Sequence, residues 1–176
     1  MGLDRCRSLL SYEGAGRELL ARLKYRNARS PVAWLAAGMA ALVVRFVGGI
    51  DVVTWAPTSD ARRRARGFDQ AEVLAKAVAA ELGLPCVRRL RRLPGPPQTG
   101  RSRDERWHGP GFVRRAPPRV QDLGVLLVDD LLTTGATLSS AAAALRAGGV
   151  TTVVAVTAGR TPVRANRSNA GDQRSR

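Results

Sequence analysis

The chain has 176 residues, enough for one domain with a sizeable core, and its apolar content of 44% excludes wholesale disorder. Its charge is unusual, because 29 Lys and Arg residues against 14 Asp and Glu residues give a net charge of +15, with arginine supplying nearly all of the excess. Such a charge favours polyanionic ligands such as phosphates or nucleic acid.

The cysteines and the hydropathy of the chain indicate in which cellular compartment the protein is expected. Cys6 and Cys86 lie far apart and form no metal-spaced pair, and no signal peptide is evident. We therefore expect free thiols in a reducing, cytoplasmic setting. Residues 32–44 carry no charge, but these 13 residues are fewer than the roughly 20 that a membrane-spanning helix needs. We expect a buried core helix there and no membrane partner.

The first part of the chain predicts two helices. Residues 1–16 are polar and show no clear period, whereas residues 17–25 place three leucines on one helical face. Ser30-Pro31 is a favourable helix start, with serine as N-cap and proline at the first helical position. The second helix, which includes Trp34, is expected to be mostly buried and to end at Gly48-Gly49.

The middle of the chain predicts a strand, a basic stretch and a third helix. Residues 50–55 have the composition of a strand, and a turn and an arginine-rich stretch follow it. An amphipathic helix is expected over residues 71–82, ending at Gly83. Residues 85–120 are rich in proline, glycine and arginine. Composition leaves two alternatives for them: a disordered linker, or a basic lid or hairpin that orders over a ligand.

The most informative stretch is residues 125–137. Residues 125–128 are apolar and predict a short strand buried on both faces, and Asp129 and Asp130 follow where that strand should end. A turn then leads into an alanine-rich helix, and its hydroxyls and free N–H groups form a candidate anion site. This turn comprises Thr133, Thr134, Gly135, Ala136 and Thr137. An ordinary strand–turn–helix is the alternative, but packing alone does not require two adjacent carboxylates that repel each other.

The order of the elements predicts an α/β fold. A further strand is expected over residues 150–156, and strands that alternate with helices call for a mostly parallel, twisted sheet flanked by helices. Ligands of such sheets bind at the carboxyl ends of the strands, where Asp129 and Asp130 should lie. We expect one domain over residues 1–162 and a polar, frayed tail over residues 163–176.

Residues 125–137 resemble the phosphoribosyl pyrophosphate (PRPP) signature of type I phosphoribosyltransferases, in which a hydrophobic strand precedes two acids and a Thr-Gly-x-Thr-like loop. The resemblance implies the type I phosphoribosyltransferase fold with a basic lid or hairpin insertion. It also implies that Asp129 and Asp130 bind the ribose hydroxyls and that residues 133–137 bind the 5′-phosphate. Mg²⁺ would be held mainly by PRPP oxygens, with the two aspartates acting directly or through water.

A second set of residues resembles the ComF/GntX family of phosphoribosyltransferase-like proteins. The run Arg66-Gly67-Phe68-Asp69-Gln70-Ala71 is similar to that family's Arg-Gly-Phe-Asn-Gln-Ala, and Gln98 and Glu105-Arg106 follow in the family's order. Tyr12, Gly14, Arg17 and residues 23–25 are similar to its lead-in. The likeness covers roughly residues 12–162.

Three departures from the family pattern matter. Family members usually carry a four-cysteine zinc module at the N-terminus, whereas only Cys6 lies in that region here. No structural zinc is therefore expected, and the sequence leaves open whether Met1 is the true start of the protein. Asp69 stands where the family has asparagine. Thr133 occupies the position of an acid that hypoxanthine-type enzymes use, so it cannot serve as that acid or base.

The remaining site residues are predicted from the resemblance and from the expected sheet, in which the carboxyl ends of parallel strands meet at one edge. Arginine side chains after the first strand should reach the edge that holds Asp129, where their planar forks suit a pyrophosphate. The expected pyrophosphate ligands are Thr58, Arg62, Arg63, Arg64 and Arg66. A solvated basic loop is the alternative. The expected lid residues are Gln98, Arg103 and Arg106.

The sequence therefore carries two hypotheses of function. The first is transfer of ribose 5-phosphate from PRPP to an unidentified nitrogenous acceptor, with release of pyrophosphate. The second, implied by the link of ComF relatives with DNA uptake, is a weakly catalytic or non-catalytic accessory that binds single-stranded DNA or a DNA-processing protein such as a helicase. The basic run 88–106 with Trp107 suits a single-strand groove, although eight aromatic residues offer few stacking platforms. A homodimer is compatible with either hypothesis.

Overall fold

The computed structural model describes residues 2–23, 29–46, 48–94, 110–115 and 123–162. Six strands and five helices occur in this part of the chain. The strands are β1 (Arg5–Ser11), β2 (Val52–Trp55), β3 (Leu90–Arg92), β4 (Phe112–Arg114), β5 (Gly124–Leu132) and β6 (Thr152–Arg160). The helices are α1 (Gly14–Arg22), α2 (Arg29–Val43), α3 (Asp60–Arg66), α4 (Gln70–Leu82) and α5 (Ala136–Arg146).

Four parallel strands form the central sheet in the order β1-β6-β5-β2. Apolar side chains of α1, α2 and α4 cover one face, with Leu35 and Leu74 fully buried. Helix α5 and the β3–β4 hairpin cover the other face, with Leu138 and Leu90 fully buried. The expected α/β class, a parallel sheet flanked by helices, is confirmed.

Strand β1 lies within residues 1–16, where the sequence shows no clear period and predicted no particular element. Among the described strands it pairs only with β6, at the sheet edge. Exposed and partly buried residues alternate at its start, so its sequence shows no long apolar run. Asp4 anchors its start, because its carboxylate accepts hydrogen bonds from Val153 N (2.7 Å) and from an Arg146 side-chain nitrogen (2.6 Å). A long-range pairing of this kind leaves no local signal in the sequence.

Two strands are longer than expected. Strand β5 continues through Asp129 and Asp130 to Leu132, so the carboxylates lie inside the strand near its end rather than beyond it. Strand β6 likewise continues to Arg160. Both extensions arise because the two strands pair with each other up to Leu132 and Arg160. Their pairing moves the carboxyl edge of the sheet outward by several residues.

Helix α2 has the expected position but is less buried than expected. Leu35 and Met39 are fully buried, whereas Trp34 is 57% exposed and Val44, just after the helix, is 60% exposed. The helix packs against one side of the sheet and against α4, so its outward side stays open to solvent. None of the helices in the described ranges is long and apolar enough to cross a membrane.

Residues 85–120 contain a short antiparallel hairpin, made of β3 and β4. Arg89 N donates to Thr54 Oγ1 at 3.2 Å, which joins the hairpin to β2. Ser140 Oγ donates to Pro110 O at 2.7 Å, which joins it to α5. The hairpin base is therefore fixed on the domain, and residues 95–109 between its strands lie outside the described residues, as does the tail 163–176.

Candidate functional site

Two carboxylates lie at the carboxyl edge of the sheet on its inner strand β5. Asp129 is 8% exposed and Asp130 is half-buried. The backbone N–H of Asp130 donates to Asp129 Oδ1 at 2.9 Å, which fixes the Asp129 side chain. Pairing of Asp129 with Thr157 of β6 holds the backbone at this point. The pair is therefore set rigidly by the sheet rather than carried on a loop.

Burial raises the pKa of Asp129 well above its usual value, and the charge of Asp130 raises it further. The Asp69 carboxylate adds a smaller effect in the same direction. A ligand that donates hydrogen bonds or brings positive charge here would relieve this repulsion. The electrostatics therefore favour binding of hydroxyl groups or a hard cation.

The turn after β5 leads into α5 and carries the predicted phosphate loop. Gly135 has φ +81°, a left-handed conformation that suits glycine, and no side chain caps the helix at this residue. Thr134 Oγ1 accepts a long hydrogen bond from Ala136 N at 3.4 Å. Thr133 and Thr137 line the cavity described below. The loop therefore presents hydroxyls and N–H groups at the positive end of a helix, a favourable arrangement for a phosphate.

The predicted arginine stretch forms helix α3 immediately after β2. Ser59 caps it, accepting from Arg62 N at 3.3 Å, and Gly67 ends it with φ +78°. Arg62 and Arg66 are four residues apart and share one face of this helix, which lines the cavity. Arg63 instead faces Asp60 at 3.8 Å, and Arg64 is exposed.

Asp69 joins the turn at Thr58, after β2, to the start of α4. Its Oδ2 accepts from Thr58 N at 3.0 Å and its Oδ1 accepts from Ala71 N at 3.2 Å, so one carboxylate fixes the turn and caps the helix. Burial raises the pKa of Asp69, and the three backbone N–H groups around it, first that of Thr58, oppose the rise. The sequence pattern included Asp69 only as a departure from the family motif, without a role.

These elements enclose one cavity of about 370 Å³. Its polar lining comes from the carboxylate pair, Asp69 and Gln70, the threonines and three arginines. Its remaining lining is apolar, apart from the hydroxyl of Tyr12. The apolar and aromatic residues are Tyr12, Leu20, Leu23, Ala56, Pro57, Ala71 and Leu131. Of the predicted site residues, the cavity brings together Asp129, Asp130, Thr58, Arg62, Arg66, Thr133 and Thr137. It does not include Arg63, Arg64, Thr134, Gly135 or Ala136.

Arg92 lines the cavity but was not singled out by the sequence. It lies on β3, and burial lowers its pKa, as does the charge of Arg62, while Asp129 and Asp69 act in the opposite direction. Its guanidinium carbon also lies 5.9 Å from the centroid of the Phe112 ring. Arg92 is one of four arginines in residues 88–92, and composition alone could not distinguish it from the others. The predicted lid residues Gln98, Arg103 and Arg106 lie outside the described residues.

The carboxylates suit a hard cation only as part of a shared coordination sphere. In the described residues no group of three or more His, Cys, Asp or Glu side chains could hold a metal ion by itself. Asp129 and Asp130 provide carboxylate oxygens, which Mg²⁺ prefers, but too few for a complete protein site. The residues present therefore fit a Mg²⁺ ion that a phosphorylated ligand would help to coordinate.

Comparison with known proteins finds similar sequences. A family model of the phosphoribosyl transferase domain matches residues 66–176. The competence protein ComFC of Bacillus subtilis (strain 168) is 28% identical over 144 residues, which are 81% of this chain and 58% of ComFC. The chain thus spans less than two thirds of that relative.

Two solved structures are similar in fold. The allosteric regulatory enzyme of purine biosynthesis gives a TM-score of 0.50 at 19% identity, over 78% of this chain and 30% of that enzyme. A hypothetical protein from Neisseria gonorrhoeae with bound ppGpp gives 0.51 at 14% identity, over 81% and 75% of the two chains. Because the family model covers more than half of the chain, the chain belongs to the phosphoribosyl transferase domain family, and its sequence is similar to that of a ComF protein.

Proposed function

We propose that the protein binds PRPP with Mg²⁺ in this cavity and transfers the ribose 5-phosphate group to a nitrogenous acceptor, releasing pyrophosphate. One observation carries the proposal. The carboxylates Asp129 and Asp130 line the same cavity as Thr133 and Thr137, beside the start of α5, and as Arg62 and Arg66 of α3. PRPP carries groups that suit these three sets: a hydroxylated ribose, a phosphate and a pyrophosphate.

Each part of PRPP has a partner in this arrangement. Thr133 and Thr137, with the N–H groups at the start of α5, would bind the 5′-phosphate. Asp129 and Asp130 would accept hydrogen bonds from the ribose hydroxyls and hold Mg²⁺, which neutralises pyrophosphate charge when bound. Arg62, Arg66 and Arg92 would bind the pyrophosphate through charge-assisted hydrogen bonds.

The reaction requires positioning more than acid or base chemistry. The C1–O bond to pyrophosphate breaks with its electron pair going to the leaving group, the acceptor nitrogen bonds to C1, and the acceptor's proton passes to solvent. The arginines stabilise charge that grows on the pyrophosphate, and fixed carboxylates hold the ribose in place. Asp69 supports the same geometry by fixing the Thr58 turn.

Pyrophosphate release in the presence of PRPP, Mg²⁺ and a panel of bases and amines tests this proposal. Wild type should release pyrophosphate with at least one acceptor, and a variant with Asp129→Asn and Asp130→Asn should be at least about a hundredfold slower, because it loses charge-assisted contacts to the ribose. Glu81→Gln, an exposed change on α4 outside the cavity, is the matched control. Equal rates in all three proteins would refute the assignment of the carboxylates.

The similarity to ComFC supports a second candidate function, an accessory in DNA uptake that binds single-stranded DNA. The net charge of +15 is compatible with it. The salt dependence of single-stranded DNA affinity separates this function from the first. A steep fall in affinity between low and moderate salt would support phosphate contacts, whereas a slope near zero would argue against this role.

A further inference from the structure

Arg66 differs from the other arginines of α3 in its surroundings. The remaining three are exposed, whereas Arg66, the last residue of the helix, is partly buried. Its Nη1 donates to Gln70 Oε1 at 2.6 Å, and both side chains line the cavity. An arginine side chain loses rotamer freedom when it binds a ligand. The bond to Gln70 therefore restricts Arg66 before a ligand arrives and lowers that entropic cost.

The chain turns between these two residues, and the turn brings their side chains together. Gly67 ends α3 in a left-handed conformation with φ +78°, and Gln70 is the first residue of α4. The four-residue spacing thus crosses the corner between two helices. Asp69 fixes this corner, because its carboxylate accepts hydrogen bonds from Thr58 N (3.0 Å) and Ala71 N (3.2 Å). Gln70 therefore extends from a fixed helix start.

The bond also determines the orientation of the Gln70 amide. A guanidinium has donors only, so the amide oxygen rather than the amide nitrogen must face Arg66. Gln70 is 6% exposed, and Ala71 and Leu74 of the same helix are buried. Helix α4 packs against β2 and β5 of the central sheet. The packed core therefore holds the acceptor, and the acceptor holds the arginine.

The acceptor is an amide rather than a carboxylate, and the surrounding charges make this difference important. The carboxylates of Asp69, Asp129 and Asp130 already line the cavity. An amide oxygen orients a guanidinium without cancelling its positive charge. A glutamate at position 70 would also accept from Arg66, but it would offset the arginine charge and add a further negative charge. Gln70 therefore leaves the full charge of Arg66 for an anionic ligand.

We infer that Gln70 is a positioning residue that holds Arg66 in the orientation in which it binds pyrophosphate. The inference rests on the proposed function, which assigns Arg66 to the pyrophosphate of PRPP. Gln70 acts through Arg66 and not on the ligand itself. Loss of the Gln70 acceptor should therefore weaken binding of ligands that contain pyrophosphate and spare ligands that lack it.

A double-mutant cycle in the full chain tests this coupling. Gln70→Met keeps the length of the side chain and removes the acceptor, so it should bind pyrophosphate with Mg²⁺ about tenfold more weakly than wild type in calorimetric titrations. The same substitution in an Arg66→Ala background should change the Kd by less than about twofold, because the arginine that Gln70 holds is gone. Equal losses in the two backgrounds would overturn the inference.

Ribose 5-phosphate separates positioning of Arg66 from general damage to the cavity. This ligand has no pyrophosphate, so its affinity for Gln70→Met should stay within about twofold of the wild-type value. Equal weakening of ribose 5-phosphate and pyrophosphate binding would overturn the inference. The matched control is Ala80→Met, an exposed change on the same helix outside the cavity, which should bind both ligands like wild type.

Further variants of Gln70 complete the test. Gln70→Glu keeps an acceptor and adds a negative charge, so it should also bind pyrophosphate about tenfold more weakly, and wild-type affinity would overturn the requirement for an amide. If Gln70→Met does not fold, Gln70→Ala replaces it in the same cycle. Absence of pyrophosphate binding by wild type would overturn the proposed function on which the inference rests. Binding by wild type that loss of the Gln70 acceptor leaves unchanged would overturn the inference alone.

Discussion

At the scale of single residues, Asp129 shows how binding and stability oppose each other. Asp129 is 8% exposed, lies inside β5 after five fully buried residues, and is next to a second carboxylate. In the described residues it has no salt-bridge partner within 4.0 Å. A buried, unpaired charge costs free energy in the absence of ligand. Such a charge is better suited to a ligand than to holding the fold together.

The Asp129→Asn variant should therefore be more stable than wild type at neutral pH. Burial and the Asp130 charge raise the pKa of Asp129, so the folded protein binds this proton more tightly than the unfolded chain does. The carboxylate then costs increasing stability as the pH rises from its unfolded pKa of about 3.9 to the folded value. The asparagine oxygen can still accept from Asp130 N. The expected gain is on the order of 1 kcal/mol.

Thermal denaturation of both proteins in EDTA, from about pH 4 to pH 8, measures this effect. The stability difference between variant and wild type should grow as the pH rises. A variant that is less stable than wild type, or a difference that does not change with pH, would contradict the assignment of an unfavourable buried charge.

Arg62 and Arg64 offer a matched pair on one short helix. Arg62 lines the cavity, whereas Arg64 is exposed and outside it. Arg62→Ala should weaken PRPP binding about tenfold, since a charge-assisted hydrogen bond contributes about 1.5–3 kcal/mol and Arg62 is itself exposed. Arg64→Ala should leave the Kd nearly unchanged. Equal losses in both variants would mean that only the general positive charge of the helix matters.

At the scale of elements, local patterns predicted what is locally determined. The apolar run 125–128 and the glycine-bearing turn after it indicated β5 and the start of α5, because buried strands and helix starts have strong composition signals. Strand β1 and the last residues of β5 and β6 escaped prediction, because long-range pairing determines them. Trp34 was expected to be buried, since an uncharged helix does not reveal which side faces solvent.

Gly124, the first residue of β5, should not tolerate a side chain. A Cβ there would lie 1.5 Å from the Gly49 carbonyl oxygen. Asp51 N donates to Gly124 O and Gly124 N donates to Asp51 Oδ2, and these two bonds prevent the strand from moving away. Gly124→Ala should destabilise the fold by about 3 kcal/mol or more. Gly48→Ala, where nothing lies within 4 Å of the added Cβ, should cost less than about 1 kcal/mol. Urea denaturation measures both, and similar stabilities would contradict the close approach at Gly124.

Neighbouring residues of α2 provide a second stability test. Leu35 is fully buried, whereas Trp34 is 57% exposed. Leu35→Ala should therefore lower the free energy of unfolding by about 2–5 kcal/mol, and Trp34→Ala should lower it by less than about 1 kcal/mol. Chemical denaturation of the two variants decides between the observed packing and the fully buried helix that the sequence predicted. A larger loss for Trp34→Ala would mean that this side of α2 is covered in solution.

At the scale of the whole molecule, the site is assembled from segments that are distant in sequence. The carboxylates and phosphate loop were predictable because one continuous stretch carries them. Tyr12, Asp69 and Arg92 come from three other segments, and the tertiary fold brings them to the same cavity. The sequence predicted the arginines of residues 62–66 as one group. Their positions on α3 determine that Arg62 and Arg66 reach the cavity, and the β3–β4 hairpin adds Arg92. Composition alone does not reveal which arginines of a basic segment line a cavity.

The central claim is that the carboxylate pair and the cavity around it bind PRPP. Isothermal titration of PRPP with Mg²⁺ into wild type, Asp129→Asn/Asp130→Asn and Glu81→Gln tests it most directly. We predict saturable binding at one site in wild type and Glu81→Gln, and at least about a hundredfold weaker binding in the double variant, given about 3 kcal/mol from two charged contacts. No binding to wild type, or equal binding to all three proteins, would contradict the claim.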